Sequence, residues 1–198
     1  MTPITRTTTR GGELKRQAIL EAALELFVER GYHGTAVPTV AEKAGVGAGT
    51  IYRYFANKEA LVNELFREQK QALTAHVLEG FPTGAAAREQ HRAFWQRMSD
   101  FARQHPRAFA FLELHSHRDY LDDDSRAVEQ GIIEFGTRFF VSAQDRGEVN
   151  PGSPMLIMSM VFGAFVGMVR ASWEGRLELT DDAIATAEAL CWKAIAAD

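Results

Sequence analysis

The sequence predicts an all-α protein of about nine helices, a compact three-helix head followed by a longer helical body. Three observations predict it. Apolar residues recur three and four positions apart from Glu13 to the C-terminus and never settle into the alternation of a strand. The stretches GFPTG, HP, YLDDD, GEVNPGS and GRLELT separate these segments, and each holds at least one residue that stops or caps a helix. Between Val40 and Lys58, VAEKAGVGAGTIYRYFANK places a short apolar helix, a glycine turn and a second short helix in direct succession, the layout of a helix-turn-helix.

Residues 1–12 hold Thr, Arg and Gly without periodicity and read as a disordered basic tail. An arm reaching a minor groove through Arg6 and Arg10 is the alternative. The first helix is expected from Glu13 to Arg30, with Leu14, Ala18, Ala22 and Leu26 on one stripe, Ile19, Ala23 and Phe27 beside it, and Gly31 as terminator. The second runs from Val37 to Ala44. Ala36 stands where a capping side chain is wanted, so Thr35 is expected to cap from one residue back, and Pro38 suits the first turn. Thr39 is either a phosphate contact or a solvated threonine. Gly45 supplies the left-handed backbone of the elbow, and Val46 plugs it.

The third helix begins near Gly47. Ile51 and Phe55, four apart, anchor it to the body, which turns Thr50, Tyr52, Arg53 and Tyr54 outward or sideways. Hydroxyls and one Arg suit phosphates and base edges. For Tyr52 and Tyr54, packing against the first helix is the alternative. Gly47, Ala48 and Gly49 let the helix start come close to phosphates but offer bases no side-chain hydrogen bonds. Asn57 is the expected N-cap of a fourth helix, Lys58–Glu79, that crosses from head to body. Lys58 sits at a helix start, where the macrodipole disfavours a cation unless an anion such as a phosphate lies beside it. Five more helices are expected over 85–104, 106–117, 123–146, 154–174 and 181–196. Asp122 or Asp123 caps the third of these and Thr180 the last.

The net charge of −4 argues against a polyanionic partner only if it is spread evenly, and it is not. Residues 1–58 carry eight Lys/Arg against five Glu; residues 59–198 carry 14 basic against 21 acidic side chains. The cationic end is the helix-turn-helix end. One cysteine, Cys191, excludes an internal disulfide framework and fits a reducing cytoplasm. The N-terminus lacks the apolar segment of a signal peptide. The longest apolar run, Met155 to Val169, falls short of the ~20 residues of a membrane span, so a cytoplasmic protein without a membrane partner is expected.

From about Glu13 to Leu65 the chain resembles the N-terminal domain of the TetR family of transcriptional regulators. The resemblance rests on an alanine-rich helix, the GYHGT turn, the AEKAGV elbow, TIYRYF and NKEAL, in order and at the right spacing. It implies a DNA-binding domain over 13–57, an effector-binding and dimerisation domain over 58–198, and a DNA-contacting set of Thr35, Thr39, Gly47, Ala48, Gly49, Thr50, Tyr52, Arg53, Tyr54 and Lys58. It further implies a ligand-responsive regulator, a repressor on an inverted-repeat operator, released by a small, largely apolar effector. A small-molecule-binding or enzymatic helical protein with a vestigial head, and a DNA binder without an effector, are the competing readings.

The body is rich in aromatics and methionine, which line apolar cavities and also fill ordinary cores. Composition alone favours a core; the resemblance, to a family that binds small molecules in this region, reverses that and implies a ligand-contacting set of Trp95, Met98, Phe111, His115, Phe135, Phe139 and Phe162. His115, His117 and Asp119 form an HxHxD string. On a helix, residues two apart face ~200° apart and share a metal poorly, so no metal, cofactor or catalytic group is assigned. The helix over 154–174 is apolar on nearly every side, which in water requires burial on two fronts. One front is the subunit's own core and the other a partner subunit, approached closely at Gly163 and Gly167. The last helix adds Ile184, Ala187, Leu190 and Cys191, the cysteine being packed rather than reactive.

Overall fold

The computed structural model describes residues 10–197, which form nine helices: α1 (Arg10–Arg30), α2 (Val37–Lys43), α3 (Ala48–Tyr54), α4 (Lys58–Leu78), α5 (Ala87–Gln104), α6 (Pro106–Phe109, continued by a π-helical turn Ala110–Leu114), α7 (Asp123–Asp145), α8 (Pro154–Trp173) and α9 (Asp181–Ile195). Among the described residues no strand forms; an isolated antiparallel bridge joins Val149 to Ala196.

Helix ends follow local chemistry. Gly31 ends α1 at φ +69° and Gly45 turns the elbow at φ +65°. There the amide of Val46 donates back to the Ala41 carbonyl at 3.0 Å. Asn57, Asp122 and Thr180 cap α4, α7 and α9 by accepting from Ala60, Ser125 and Ala183, and Ser153 caps α8. Each such cap is worth ~1 kcal/mol.

Three expectations need correction. The helix starts at Arg10, so Arg10, Gly11 and Gly12 belong to α1 rather than to a tail; Arg6 and the rest of the tail lie outside the described residues. Thr35 does not cap α2, whose N-cap Ala36 has no side-chain partner. The helix over 106–117 stops at Leu114, where widening into a π turn precedes an extended His115 at φ −110°, ψ 151°. The HxHxD string therefore lies in a loop, and helical spacing says nothing about it.

One apolar cluster runs without interruption from head to body. Ile19, Leu26 and Phe27 of α1, Val40 of α2, Ile51 of α3 and Leu61, Leu65 and Phe66 of α4 join Trp95, Phe109, Phe111 and Phe165. Phe27 stacks on Phe111 across the junction, centroids 6.3 Å apart. Each such ring buried is worth ~1.5–3 kcal/mol, so the head moves against the body only at the expense of shared contacts. A smaller cluster, with Phe140, Val149, Ile157, Val161 and Ile195, closes the far end of α7, α8 and α9.

Candidate nucleic-acid interface and its coupling to the body

Helix α3 is held by burying Ile51 completely and Phe55 almost so. That fixes which residues face outward. Tyr52 is 55% exposed, Arg53 is exposed, and Gly47, Ala48 and Gly49 stand open at the helix start. A Cβ added to Gly49 would meet nothing within 4 Å. Thr39 and Thr50 are half-buried at the edge of the same face. Tyr54 is half-buried and packed on the core cluster, so its ring serves the fold first.

Two residues of the expected DNA-contacting set point inward. Thr35 is 2% exposed, and its hydroxyl donates to the carbonyls of Leu26 (3.1 Å) and Gly31 (2.8 Å). It locks the turn after α1 and has no hydroxyl left for a phosphate. Lys58 reaches back over the same turn. Its ammonium donates to the carbonyls of Tyr32 (2.8 Å) and Thr35 (2.9 Å) and lies 4.1 Å from the centroid of the Tyr32 ring. These carbonyls and the ring face hold the ammonium against the turn. Burial pulls its pKa below the ordinary lysine value. Nothing local in the sequence signals this, because the carbonyls come from a turn more than twenty residues away.

The same turn is the junction with the body. Tyr32 stacks on Tyr120 at 4.2 Å between centroids. The Tyr120 hydroxyl meets Nδ1 of His117 at 2.7 Å, and Nε2 of His117 meets the carbonyl of Phe111, in the π turn, at 2.6 Å. Because Phe111 offers only an acceptor, Nε2 carries the proton and Nδ1 accepts from Tyr120. Burial holds His117 neutral, with its pKa lowered to about 4, and pushes Tyr120 up to about 12. Lys70 of α4 and Glu113 of the π turn form an ion pair at 2.7 Å, each side chain 9% exposed. Asn63 of α4 donates to the Tyr120 carbonyl and accepts from the amide of Asp122. The π turn, α4 and the α1–α2 turn are thus joined by a continuous set of polar and aromatic contacts.

The expected ligand-contacting residues do not gather round one cavity. Trp95, Met98 and Phe111 are at most 3% exposed and belong to the main core. Phe162 packs at the edge of that core, and Phe139 on the second cluster. Phe135 is 42% exposed on α7, and His115 lies against the backbone of Val28. Aromatic residue type announced apolar burial, but the partner each ring meets is a tertiary matter. A cleft of about 710 Å³ does open between α5 and α9, and of the seven only Trp95 lines it.

Helix α8 buries Ile157, Val161, Phe165, Met168 and Val169 and leaves Leu156 60% and Met160 51% exposed. Gly163 and Gly167 continue that exposed stripe at the i, i+4, i+7, i+11 spacing of a packing seam. The helix is 20 residues long, and an 18-residue stretch of it has a mean hydropathy of 1.7. It therefore reaches the length of a membrane span, which the shorter apolar run in the sequence did not suggest. Leu190 of α9 is 65% exposed. Cys191 is half-buried between the two clusters, and burial raises its thiol pKa to about 11, which disfavours the thiolate.

Comparison with known proteins gives the same picture. Residues 19–65 match the sequence model of bacterial regulatory proteins of the tetR family, and residues 66–197 that of the tetracyclin repressor-like C-terminal domain. The fatty acid metabolism regulator protein of Bacillus subtilis (strain 168) is 30% identical over 152 residues, 75% of this chain and 78% of that protein. A TetR family transcription regulator from Marinobacter aquaeolei VT8 superposes with a TM-score of 0.84 at 24% identity, over 96% of this chain and 99% of the other. The transcriptional regulator FadR from Bacillus subtilis, crystallised with stearoyl-CoA, superposes with a TM-score of 0.71 at 24% identity, over 88% and 95% of the two chains.

Proposed function

This chain belongs to the TetR family of DNA-binding transcriptional regulators, not to an enzyme family, and we propose that it is a homodimeric repressor that binds an inverted-repeat operator and is released by a small, largely apolar effector. The observation that carries this reading is the outward face of α3, where Tyr52 and Arg53 are exposed at the cationic end of the chain while Ile51 and Phe55 hold the helix in place. In the major groove, Arg53 can meet a guanine edge bidentately, worth ~1–3 kcal/mol of discrimination. Thr39, Thr50 and the amides of Gly47, Ala48 and Gly49 serve the phosphates around it. Thr35 and Lys58 are left out of the contacting set, since both are spent on the α1–α2 turn.

The exposed apolar stripe of α8, with Leu190 of α9, supports a two-fold dimer. Such a dimer presents two heads to half-sites ~34–36 Å apart or a multiple of that. Release is a population shift. An effector that favours a body with the π turn displaced would loosen His117, Tyr120 and then Tyr32, and so reorient the heads. The stearoyl-CoA complex of the Bacillus subtilis relative supports an effector with a large apolar part.

The closed packing of Trp95, Met98 and Phe111 favours a second reading, a DNA binder that answers to no effector. A ligand that lowers operator affinity sinks that reading, and stearoyl-CoA is the first to try. The primary test is selection of bound duplexes from a random pool by the purified protein. Enrichment of an inverted repeat is expected; no enrichment at low salt would overturn the assignment.

A further inference from the structure

Helix α4 carries the head's connection to the body, and along one of its stripes a ladder of charges runs from α1 to α7. Arg16 of α1 donates to Glu64 at 2.6 Å and to Glu68, both on α4, and lies 3.5 Å from Glu13. Glu64 gives its second oxygen to Arg67, one turn further along α4, at 2.9 Å. Arg67 also donates to both oxygens of Asp122, at 3.0 and 2.9 Å, and to the Ser125 hydroxyl at 2.9 Å. Asp122 is the N-cap of α7, and its backbone amide donates to Asn63 of α4 at 2.9 Å. One carboxylate, Glu64, is therefore shared between the head and the start of α7.

Partly exposed ion pairs stabilise a fold little, so the meaning of this ladder lies in its geometry. The apolar contacts across the junction, Phe27 on Phe111 among them, are non-directional and tolerate a change of angle. Charge-assisted hydrogen bonds from a planar guanidinium are directional and do not. A tilt of α4 against α1 parts Arg16 from Glu64, and a tilt against α7 parts Arg67 from Asp122. The ladder sets four carboxylates, Glu13, Glu64, Glu68 and Asp122, against two arginines. Either link can thus be cut at its carboxylate without stranding a charge: Arg16 keeps Glu68, and Arg67 keeps Asp122 or Glu64.

We propose that Glu64 is a positioning residue for operator recognition: by tying Arg16 to Arg67 it fixes the angle of the head on the body, and with it the half-site spacing that a dimer accepts. This rests on the homodimeric operator reading above. One base pair added to or taken from the spacer moves a half-site by about 3.4 Å and turns it by about 34–36°. The quantity to measure, with the purified full chain, is the ratio of affinity for the selected inverted repeat to affinity for the same repeat with its spacer one base pair longer or shorter. Phosphate contacts are alike on these duplexes, so counterion release cancels in the ratio, as does any loss of folded protein.

Glu64→Gln leaves one acceptor oxygen for two arginines and lowers both ratios by about threefold to fivefold. Asp122→Asn keeps the capping oxygen of α7 but gives up the ion pair, and lowers them to a similar extent. The two links act in series, so the double variant is no lower than either single one. Should one single variant fail to fold, the other carries the comparison. If the parent protein selects a repeat of fixed spacing and the variants keep its ratios, or if the double variant falls by the product of the single effects, this inference is overturned while the operator reading stands. A parent protein that selects no repeat of fixed spacing overturns both.

Discussion

Helices α3 and α8 obey one rule with opposite chemistry. Each buries one face, α3 in the shared core and α8 in that core and the smaller cluster, and each leaves the other face bare. On α3 the bare face is Tyr52, Arg53 and a glycine-rich start; on α8 it is Leu156, Met160, Gly163 and Gly167. An exposed face that can hydrogen-bond is complete in water and ready for a polar partner, whereas an exposed apolar stripe is incomplete until something covers it. The first face fits nucleic acid and the second a further copy of the chain. At the junction of head and body, the α1–α2 turn holds Thr35 and Lys58, two polar side chains whose hydrogen bonds go to backbone carbonyls.

Breaking the apolar face carries the largest expected effect. Leu156→Glu places a charge at the start of the stripe, on its most exposed apolar residue, and sedimentation should show a monomer whose operator affinity has fallen about 100-fold or more, since the avidity of paired heads is gone. A dimer that persists with Glu at 156 would move the interface off α8.

Next comes the junction. His117 has a folded pKa of about 4 against an ordinary 6.5. Its folded form is therefore the neutral one, and the unfolded chain takes up a proton first as pH falls. Stability from this residue is complete above pH 6.5 and is lost progressively between pH 6.5 and 4, by up to about 3 kcal/mol. Urea midpoints across that window should fall steeply in the parent protein and less so in His117→Gln. Parallel slopes would mean that His117 is not held neutral by the fold.

A smaller effect separates two head residues. Lys58→Ala removes two charge-assisted bonds to carbonyls and should cost about 2 kcal/mol of stability. Arg53→Ala should change stability by less than about 0.5 kcal/mol yet relax discrimination at one or two base positions per half-site. If Lys58→Ala left stability unchanged and lowered DNA affinity uniformly, the lysine would be a phosphate contact after all.

Much of this was legible in the chain. Gly31, Gly45, Asn57, Asp122 and Thr180 act locally, and each ends or starts a helix where its chemistry predicts. Ile51 and Phe55 fixed the outward face of α3 by spacing alone. Lys58 was not legible, because the carbonyls it meets belong to a turn more than twenty residues away, and Thr35 was read as a cap although its hydroxyl turns back to the Gly31 and Leu26 carbonyls at the end of α1. The break at Leu114 was not legible either, since AFLEL reads as ordinary helix. The aromatics of the body announced burial without naming their neighbours.

The most direct test of the contrast between the two faces is the mass of the complex formed on a duplex carrying the selected inverted repeat, measured under native conditions. Two copies per duplex are expected, one head to each half-site, joined through α8. A single copy on the full repeat, with the parent protein monomeric in solution, would contradict the assignment of the apolar stripe to a second subunit and leave α3 as a lone reading head.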